Sequence, residues 1–470
     1  MKKSGIQKLA LGTAAAAATA LGTICYADNP IIQTKFTADP APLVYKDTVY
    51  LYTSHDEDDA KGFKMLNWLL YTSTDMVNWT DHGIIGGVAA PYRTFSWADG
   101  YNAWAPQCID RNGKFYLYCP FPYKGQMVIG VAVSESPFGP FTDPLGKPLV
   151  VGSYDPTVFI DDDGQAYLCW GGNGPCYYVK LNEDMISVSG SINVASIDFT
   201  GTPPEASYTE GPWLWKNNSH YYLAWASRCC PEGIGYGMSD SPTGPWKCKG
   251  TIMDPNPKSS GNHPGIIDYK GKSYVFGFNY AVNFALTNVH RERRSICVEE
   301  MTYNADGTIP KVPWWSKEGA PQIGTLNPYV RTEAETICWS SGVKTEPCSE
   351  GGMDVCHIEN GDYIKVKGVD FGSGAKSFEA RVASATKGGK IELRLDSLTG
   401  TVVGTCQVPG TGGWQTWVTK SCKVRHAAGV HDLYLNFTGE SGSLFAFNWW
   451  KFESGSGEAR KQAGDVLDTF

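Results

Sequence analysis

Three acidic residues next to prolines have the chemistry of cooperating carboxylates. Asp39 and Asp155 each directly precede a proline, and Glu210 precedes Gly211-Pro212. Hydrolysis of a glycosidic bond needs such a set, because one carboxylic acid protonates the leaving oxygen and one carboxylate activates water. A third negative group nearby raises the pKa of the acid by like-charge repulsion. Asp-Pro and Glu-Gly-Pro also form simple turns, so any one of these motifs alone would favour a structural role.

The elements that position these residues come from an internal repeat. Each of five segments has a proline, an apolar strand, a polar turn and an aromatic-rich strand. The prolines are Pro40, Pro106, Pro156, Pro212 and Pro264. Their spacing of roughly 50–66 residues is close to the length of a β-propeller blade. The turns Asn112-Gly113, Asp163-Gly164 and Lys270-Gly271 are hairpin signals. We therefore predict an all-β protein with a five-bladed β-propeller, rather than an irregular sandwich with chance repeats.

The propeller geometry predicts that the five repeated positions lie close together. The first strand of each blade lines the central channel, so residues at the starts of these strands converge on one mouth of it. The five equivalent positions are Asp39, Ala105, Asp155, Glu210 and His263. Because three carboxylates recur at one phase of the repeat, the catalytic interpretation is favoured over turn formation.

The repeat divides the chain into regions. Residues 1–27 have a basic start and an Ala/Leu-rich stretch, which predicts a bacterial signal peptide and a secreted or periplasmic protein. Lipidation at Cys25 is the alternative. The propeller is predicted over residues 28–326. A second domain, a β-sandwich of jelly-roll type, is predicted over 331–453, and a flexible tail over 454–470.

Composition excludes several partners. The net charge is −8, and the one basic cluster, Arg291–Arg294, is interrupted by Glu292. Nucleic-acid binding relies on clustered Lys and Arg, so we expect none. The apolar stretch near the start is short and alanine-rich for a membrane span. We expect a monomer with no organic cofactor.

Residues 30–325 resemble glycoside hydrolase family 43. The resemblance lies in the segments around the five prolines, such as Ser153–Asp161 and Tyr208–Pro212. It implies an inverting mechanism in which Asp39 is the general base, Glu210 the general acid, and Asp155 the residue that orients Glu210 and keeps its pKa high. It also implies α-L-arabinofuranosidase activity on arabinoxylan, with β-xylosidase as the alternative. A non-catalytic sugar-binding propeller would have lost a carboxylate, and all three are present.

The resemblance implies further roles around the pocket. Trp104 corresponds to an apolar wall of the sugar site, with core packing as the alternative. His263 corresponds to a channel histidine that approaches calcium or water. Either Arg293 or Arg294 binds a sugar hydroxyl, and the sequence does not decide between them. The run 53–57, Thr-Ser-His-Asp-Glu, resembles arabinoxylan-debranching members, or else is a solvated acidic loop.

The second domain resembles carbohydrate-binding module family 6, on segments that include 358–363, 412–417 and 447–452. The resemblance implies binding of a plant cell-wall polysaccharide. Trp414 and Asn448 match an aromatic residue and an asparagine that bind sugar, whereas His357 stands where another aromatic is common. Glu333 and Glu335 match positions near a structural calcium, an ion that hard carboxylate oxygens suit.

The cysteines give no metal motif. The sequence has 14 Cys and no CxxC pair, and the Cys229-Cys230 spacing does not suit a metal. Several, such as Cys119, Cys169 and Cys297, lie in apolar stretches, where a thiol acts as a small hydrophobe. We expect mainly buried thiols, with one disulfide among Cys338, Cys348 and Cys356 left open.

Overall fold

We describe the protein from a computed structural model, which describes residues 25–455. Most of the predicted signal peptide (1–24) and of the predicted tail (456–470) lie outside the described residues. After β1 (Tyr26–Asp28), the first three blades are formed by β2 (Phe36–Tyr45), β3 (Thr48–Asp56), β4 (Asn67–Ser73), β5 (Trp79–Gly87); β6 (Gln107–Arg111), β7 (Lys114–Tyr123), β8 (Gln126–Ser134), β9 (Val150–Val151); β10 (Thr157–Ile160), β11 (Ala166–Trp170), β12 (Tyr177–Leu181) and β13 (Val188–Val194).

The last two blades complete the circle. Their strands, with β22 after them, are β14 (Ile197–Asp198), β15 (Tyr208–Asn217), β16 (His220–Ser227), β17 (Gly233–Ser239), β18 (Trp246–Met253); β19 (Gly265–Tyr269), β20 (Lys272–Asn279), β21 (Ser295–Met301) and β22 (Glu318–Pro321). A 3-10 turn covers Pro204–Ala206, and a short helix, α1, covers Ala281–Leu286. The five sheets, which are antiparallel except for the parallel pairing of β14 with β18, confirm the predicted five-bladed propeller.

The N-terminal segment closes the propeller beside the fifth blade. Strand β1 pairs antiparallel with β22, and the Ile31 N–H donates to the carbonyl of Ile296 in β21 at 2.8 Å. The fifth blade has three strands of its own. The two chain ends of the propeller therefore meet there, as circular closure requires.

The predicted hairpin turns form where strands meet. Asn112 and Gly113 both have positive φ (53° and 78°), as do Lys270 and Gly271 (46° and 77°). Two consecutive positive φ angles are those of a type I′ turn, whose twist matches antiparallel strands. These turns fix the register of the inner hairpins, Asp110↔Phe115 in blade two and Asp268↔Ser273 in blade five.

The second domain is a sandwich of two antiparallel sheets with its own apolar core. Its strands are β23 (Thr332–Glu333), β25 (Trp339–Ser341), β26 (Lys344–Pro347), β27 (Met353–Cys356), β28 (Tyr363–Asp370), β29 (Ala375–Ser384), β30 (Gly388–Leu395), β31 (Val402–Pro409), β32 (Gly413–Lys423), β33 (Val430–Thr438) and β34 (Ala446–Ser454), and the short β24 (Thr336–Ile337) of this domain joins the sheet of blade one. Phe378, Trp450 and Phe452 are fully or almost fully buried at its centre. The predicted sandwich is confirmed.

The two domains are joined by backbone pairing, by partly buried ion pairs and by a side-chain hydrogen bond. Strand β24 extends the first blade by pairing with β5. The Asp28 carboxylate accepts from Lys365 at 2.7 Å and from Lys367 at 2.9 Å. At a second point Asp81 accepts from Lys35 and from the Thr345 hydroxyl, both at 2.6 Å. The sandwich is thus seated against the edge of blade one.

The cysteines differ from expectation in one respect. Cys338, Cys348 and Cys356 are all buried thiols without a disulfide, so the disulfide left open among them is wrong. The disulfide that the described residues contain joins Cys229 to Cys230. Sequence reasoning passed over this pair because it considered only metal spacing. Within residues 25–455, no helix has the length and apolar character needed to cross a membrane.

Candidate active site

A shared backbone distortion turns the repeated acidic residues towards the channel mouth. Asp39 and Asp155 have φ of 52° and 57°, in the left-handed region that few non-glycine residues adopt. In blade four the positive φ falls one residue later, on Gly211 (60°). The register of β2 and β15 is interrupted at these places. Bulges of this kind re-aim side chains, and local strain of this kind clusters at functional sites.

Asp39 lies at the centre of a donor cluster. Its Oδ1 accepts from Arg294 Nη1 at 2.8 Å, and its Oδ2 accepts from the Ser54 hydroxyl. His263 Nδ1 lies 3.5 Å from Oδ1. Asp39 is 6% exposed. Both of its oxygens thus face donors, which suits a carboxylate that accepts a proton from water.

Glu210 and Asp155 are linked through one peptide group. Asp155 Oδ2 accepts from the N–H of Gly211 at 3.1 Å, immediately after Glu210. The Tyr154 hydroxyl donates to Glu210 Oε2 at 3.3 Å, and Asn173 donates to the Tyr154 oxygen at 2.7 Å. Asp155 therefore holds the backbone that carries Glu210, and Tyr154 holds its carboxyl group.

Burial and like charges keep protons on this part of the site. Burial raises the pKa of Glu210, and the negative charge of Asp39 raises it further. Burial, followed by the charge of Glu210, raises the pKa of Asp155 well above its ordinary value. A general acid must hold its proton at the working pH. These directions suit Glu210 as the acid.

The structure distinguishes the two arginines. Arg294 is 5% exposed and forms a two-bond fork with Asp56, Nε to Oδ2 at 2.9 Å and Nη2 to Oδ1 at 2.8 Å. Although burial opposes it, Asp39 and Asp56 raise the pKa of Arg294. Arg293 instead lies over the Phe36 ring, 5.6 Å from its centre. Arg294 is therefore the arginine of the pocket.

Asp56 is a buried residue of the pocket. It is 0% exposed, so a solvated loop is the wrong interpretation at this position. Burial raises the pKa of Asp56, and the bonds from Arg294 oppose that rise. The sequence run 53–57 thus contributes a structural carboxylate that fixes Arg294 against Asp39.

Aromatic side chains form the wall of the pocket. Trp104 meets the Tyr154 ring edge to face at 5.0 Å, and Phe63 lies 6.3 Å from Trp104. Phe63 is 57% exposed and lies 5.3 Å from the Arg294 guanidinium. Trp104 is partly buried beside Tyr154, which holds Glu210, and its role as an apolar wall of the sugar site stays a prediction.

The other two repeat positions are not acidic. Ala105 is 3% exposed. His263 packs against Gly211, where an added Cβ would lie 3.0 Å from the ring. Burial lowers the pKa of His263, so a neutral imidazole faces Asp39. Its predicted metal role stays a prediction.

The sequence reasoning missed a further carboxyl group, Glu232. It is 4% exposed, and its Oε2 accepts from the Asn262 N–H at 3.0 Å. Burial, then the charge of Glu210, raises the pKa of Glu232 to about 8. Glu232 follows the Cys229-Cys230-Pro231 turn, outside the phase of the repeat, so the repeat carried no signal for it.

In the sandwich, the predicted sugar-binding residues have unlike surroundings. Trp414 is 39% exposed at the start of β32. His357 is exposed, and its Nδ1 lies 3.1 Å from the Cys356 sulfur. Asn448 is 0% exposed, and its amide donates to Glu350 Oε2 at 3.1 Å. Trp414 and His357 are accessible to a sugar as they stand, and Asn448 is covered. Their binding roles stay predictions.

Oxygen atoms suited to a hard cation lie near the predicted calcium position. Glu335 is 3% exposed and its Oε2 has no hydrogen-bond partner, and the same holds for Oδ1 of the buried Asn448. The Ala334 N–H donates to the Asn448 carbonyl at 2.8 Å, which brings the two segments together. Glu333 instead makes a two-bond pair with Arg331. Glu335 and Asn448 fit an oxygen-bound cation, whereas Glu333 is engaged elsewhere.

Comparison with known families covers both domains. Residues 27–309 match "Glycosyl hydrolases family 43", and residues 333–454 match "Carbohydrate binding module (family 6)". An arabinoxylan arabinofuranohydrolase of Paenibacillus polymyxa is 37% identical over 91% of this chain and 75% of its own length. The protein of that name from Bacillus subtilis (strain 168) is 37% identical over 90% of this chain and 92% of its own.

Solved structures agree. The family 43 arabinoxylan arabinofuranohydrolase of Bacillus subtilis, in complex with cellotetraose, superposes with a TM-score of 0.80 at 36% identity. That match covers 91% of this chain and 97% of the other. A β-xylosidase/α-arabinofuranosidase from a compost metagenome has a TM-score of 0.56 at 29% identity, over 62% of this chain and 99% of its own. With the carboxylate site in place at the mouth of the propeller, the chain belongs to glycosyl hydrolase family 43 and carries a family 6 carbohydrate-binding module.

Proposed function

We propose that this glycoside hydrolase releases L-arabinofuranosyl residues from arabinoxylan with inversion of configuration. The observation that carries the proposal is the likeness to arabinoxylan arabinofuranohydrolases across both domains, together with an intact set of Asp39, Asp155 and Glu210. The relatives named as xylosidases match only 58–60% of the chain.

Each carboxyl group has its own role in this mechanism. Glu210 donates its proton to the oxygen of the leaving xylan chain, while Asp39 accepts a proton from the attacking water. Asp155 acts through Glu210, because it binds the N–H of Gly211 and so fixes the backbone that carries the acid. Arg294 and Ser54 hold Asp39 in place.

The test is the identity and anomeric form of the first sugar released from wheat arabinoxylan. Proton NMR within the first minutes should show free β-L-arabinofuranose, the inverted form of an α-linked substituent, before it equilibrates. Glu210→Gln is the control for background hydrolysis. Early appearance of the α anomer would contradict inversion.

A β-xylosidase is the second candidate, since relatives named for that activity match the propeller, including one from Bacteroides ovatus named for both sugars. Xylobiose and arabinoxylan incubated in parallel separate the two. Release of xylose from xylobiose at a rate above that of arabinose from arabinoxylan would favour this candidate.

We also propose that Glu335, with Asn448, holds a structural calcium ion in the module. A bound cation would satisfy the two buried oxygens that now have no partner, and it would stabilise the folded module by mass action. In calorimetry, 1 mM calcium should raise the melting temperature of the wild type after EDTA treatment. Glu335→Gln should abolish this rise, and Glu333→Gln should retain it.

The signal-like start of the chain supports export, and the module supports binding to plant polysaccharide. We further propose that the protein is a monomer. Fractionation of the expressing cells tests export, and light scattering tests the oligomeric state. Recovery of the full-length chain in the cytoplasm would contradict export.

A further inference from the structure

Glu232 lies one hairpin away from the general acid. Strand β15 carries Glu210, which pairs with Ala226 of β16. The chain then turns and returns as β17, whose first residue Gly233 pairs with Ser227. Glu232 immediately precedes that return, so the fold places it at the same mouth of the propeller as Glu210, although it has no place in the repeat.

One oxygen of Glu232 fastens blade four to blade five. Oε2 accepts from the Asn262 N–H, and the side-chain oxygen of Asn262 accepts from the N–H groups of His263 at 3.1 Å and Phe278 at 3.3 Å. His263 in turn faces Asp39. Glu232 therefore fixes the turn that sets the distance between His263 and the base.

The second oxygen has a different environment. Among residues 25–455, no hydrogen bond is made by Oε1, and this oxygen is not one of the completely buried atoms without a partner, so it lies at the small part of the side chain that remains accessible. The charged groups around it are Glu210 on β15, Asp39 on β2 and Arg294 before β21. With a pKa of about 8, Glu232 carries a proton at neutral pH. An accessible O–H beside Glu210 and Asp39 can donate to a hydroxyl of a bound ligand.

We propose that Glu232 is a substrate-binding residue, which donates from Oε1 to one hydroxyl of the sugar held against Glu210 and positions the His263 turn through Oε2. This inference rests on the proposed function, because it needs a sugar in the pocket. It assigns to the pocket a residue that neither the repeat nor the three-carboxylate mechanism uses.

The test compares variants of Glu232 on matched substrates. Glu232→Met keeps the volume and removes both hydrogen bonds, whereas Glu232→Gln keeps a donor and an acceptor. Glu205→Gln is the matched control. Glu205 forms an exposed ion pair with Arg228, which lies in the same loop as Glu232. The substrates are 4-nitrophenyl α-L-arabinofuranoside and its 2-, 3- and 5-deoxy analogues, with thermal unfolding of each variant as a folding check.

On the parent substrate, Glu232→Met should lower kcat/KM about tenfold to a hundredfold, as expected for a lost hydrogen bond in an enclosed site. Glu232→Gln should stay within about threefold at neutral pH and should lose less activity than the wild type above pH about 8, because its amide keeps the donor that Glu232 loses on ionisation. On one deoxy analogue, kcat/KM should be nearly the same for Glu232→Met as for the wild type, because the hydroxyl that this analogue lacks is the partner of Glu232.

Two results would overturn the proposal. One is wild-type kcat/KM in a folded Glu232→Met. The other is that Glu232→Met lowers kcat/KM by the same factor on every deoxy analogue as on the parent substrate. That result would leave Glu232 only a structural role. Wild-type activity on the parent substrate is the separate readout of the proposed function. If the wild type hydrolyses only the xyloside, the proposed function fails, and the same comparison on deoxy xylosides decides the role of Glu232.

Discussion

The propeller pocket pairs two of its buried carboxyl groups with an arginine, whereas two buried carboxyl groups of the sandwich module have no such partner among the described residues. In the pocket, Arg294 bonds to both Asp39 and Asp56, so negative charge is matched within the protein. In the module, Glu335 and Asp354 are buried with one oxygen each unpartnered, and burial raises the pKa of both. In the pocket, an arginine neutralises the two aspartates. In the module, Glu335 and Asp354 have no ion-pair partner among the described residues, so a proton or a bound cation would neutralise them.

The largest expected effect tests charge matching in the pocket. Arg294→Met would leave Asp39 and Asp56 buried without their cation, which typically costs about 3–5 kcal/mol of unfolding free energy. We also expect activity to be lost, because Asp39 loses a donor that holds it. Arg293→Met, one residue away over Phe36, is the control and should change both properties little. The measurements are denaturant unfolding and kcat/KM, and equal effects of the two substitutions would contradict the comparison.

An intermediate effect tests the unmatched carboxyl groups of the module. Burial raises the pKa of Asp354 to about 7, above its value of about 3.9 in an unfolded chain. The folded state therefore binds the proton more tightly, and stability falls as pH rises from about 4 through 7. Asp354→Asn should raise unfolding free energy by about 1–2 kcal/mol at pH 8.5 and change it little at pH 4.

Melting curves at the two pH values, recorded in EDTA, measure this difference. Glu440→Gln, an exposed carboxyl group paired with Lys387, is the control and should show no pH-dependent gain. A gain for Asp354→Asn that is equal at both pH values would show that its carboxyl group does not carry the raised pKa.

The smallest effect concerns sugar binding by the module. Trp414 offers an exposed ring face, so Trp414→Ala should weaken binding to insoluble xylan by about 1 kcal/mol, or roughly fivefold. Hydrolysis of a small aryl substrate should not change, because the pocket is untouched. Pull-down with Glu210→Gln as background avoids digestion of the xylan. Unchanged binding would remove Trp414 from the binding site.

Sequence reasoning worked where a feature was repeated. Five copies of one motif fixed the number of blades and the phase of Asp39, Asp155 and Glu210, because equivalent positions of equivalent strands meet at one mouth. Residues outside the repeat could not be positioned in this way, because no equivalent residue in another blade showed where they lie. The choice between Arg293 and Arg294 depends on how the chain enters β21, which begins at Ser295. Glu232 follows a turn with no counterpart in the other blades.

The module shows the same limit. Its two sheets follow from alternating strands and turns, but Asn448 lies at an irregularity between Arg381 and Val382 in the pairing of β29 with β34. A one-residue shift there turns a side chain from one face to the other. The sequence alone therefore gave no basis for expecting Asn448 to be enclosed beside Glu350.

The most direct test of the central claim, that the carboxyl groups of the pocket have separate roles, varies the leaving group. Glu210→Gln and Asp39→Asn are each assayed on arabinoxylan and on 2,4-dinitrophenyl α-L-arabinofuranoside, whose leaving group needs no proton. Glu210→Gln should lose about 10²–10⁴-fold on arabinoxylan and keep most of its rate on the aryl substrate. Asp39→Asn should lose activity on both substrates. Equal losses on both substrates for both variants would contradict the assignment of Glu210 as acid and Asp39 as base.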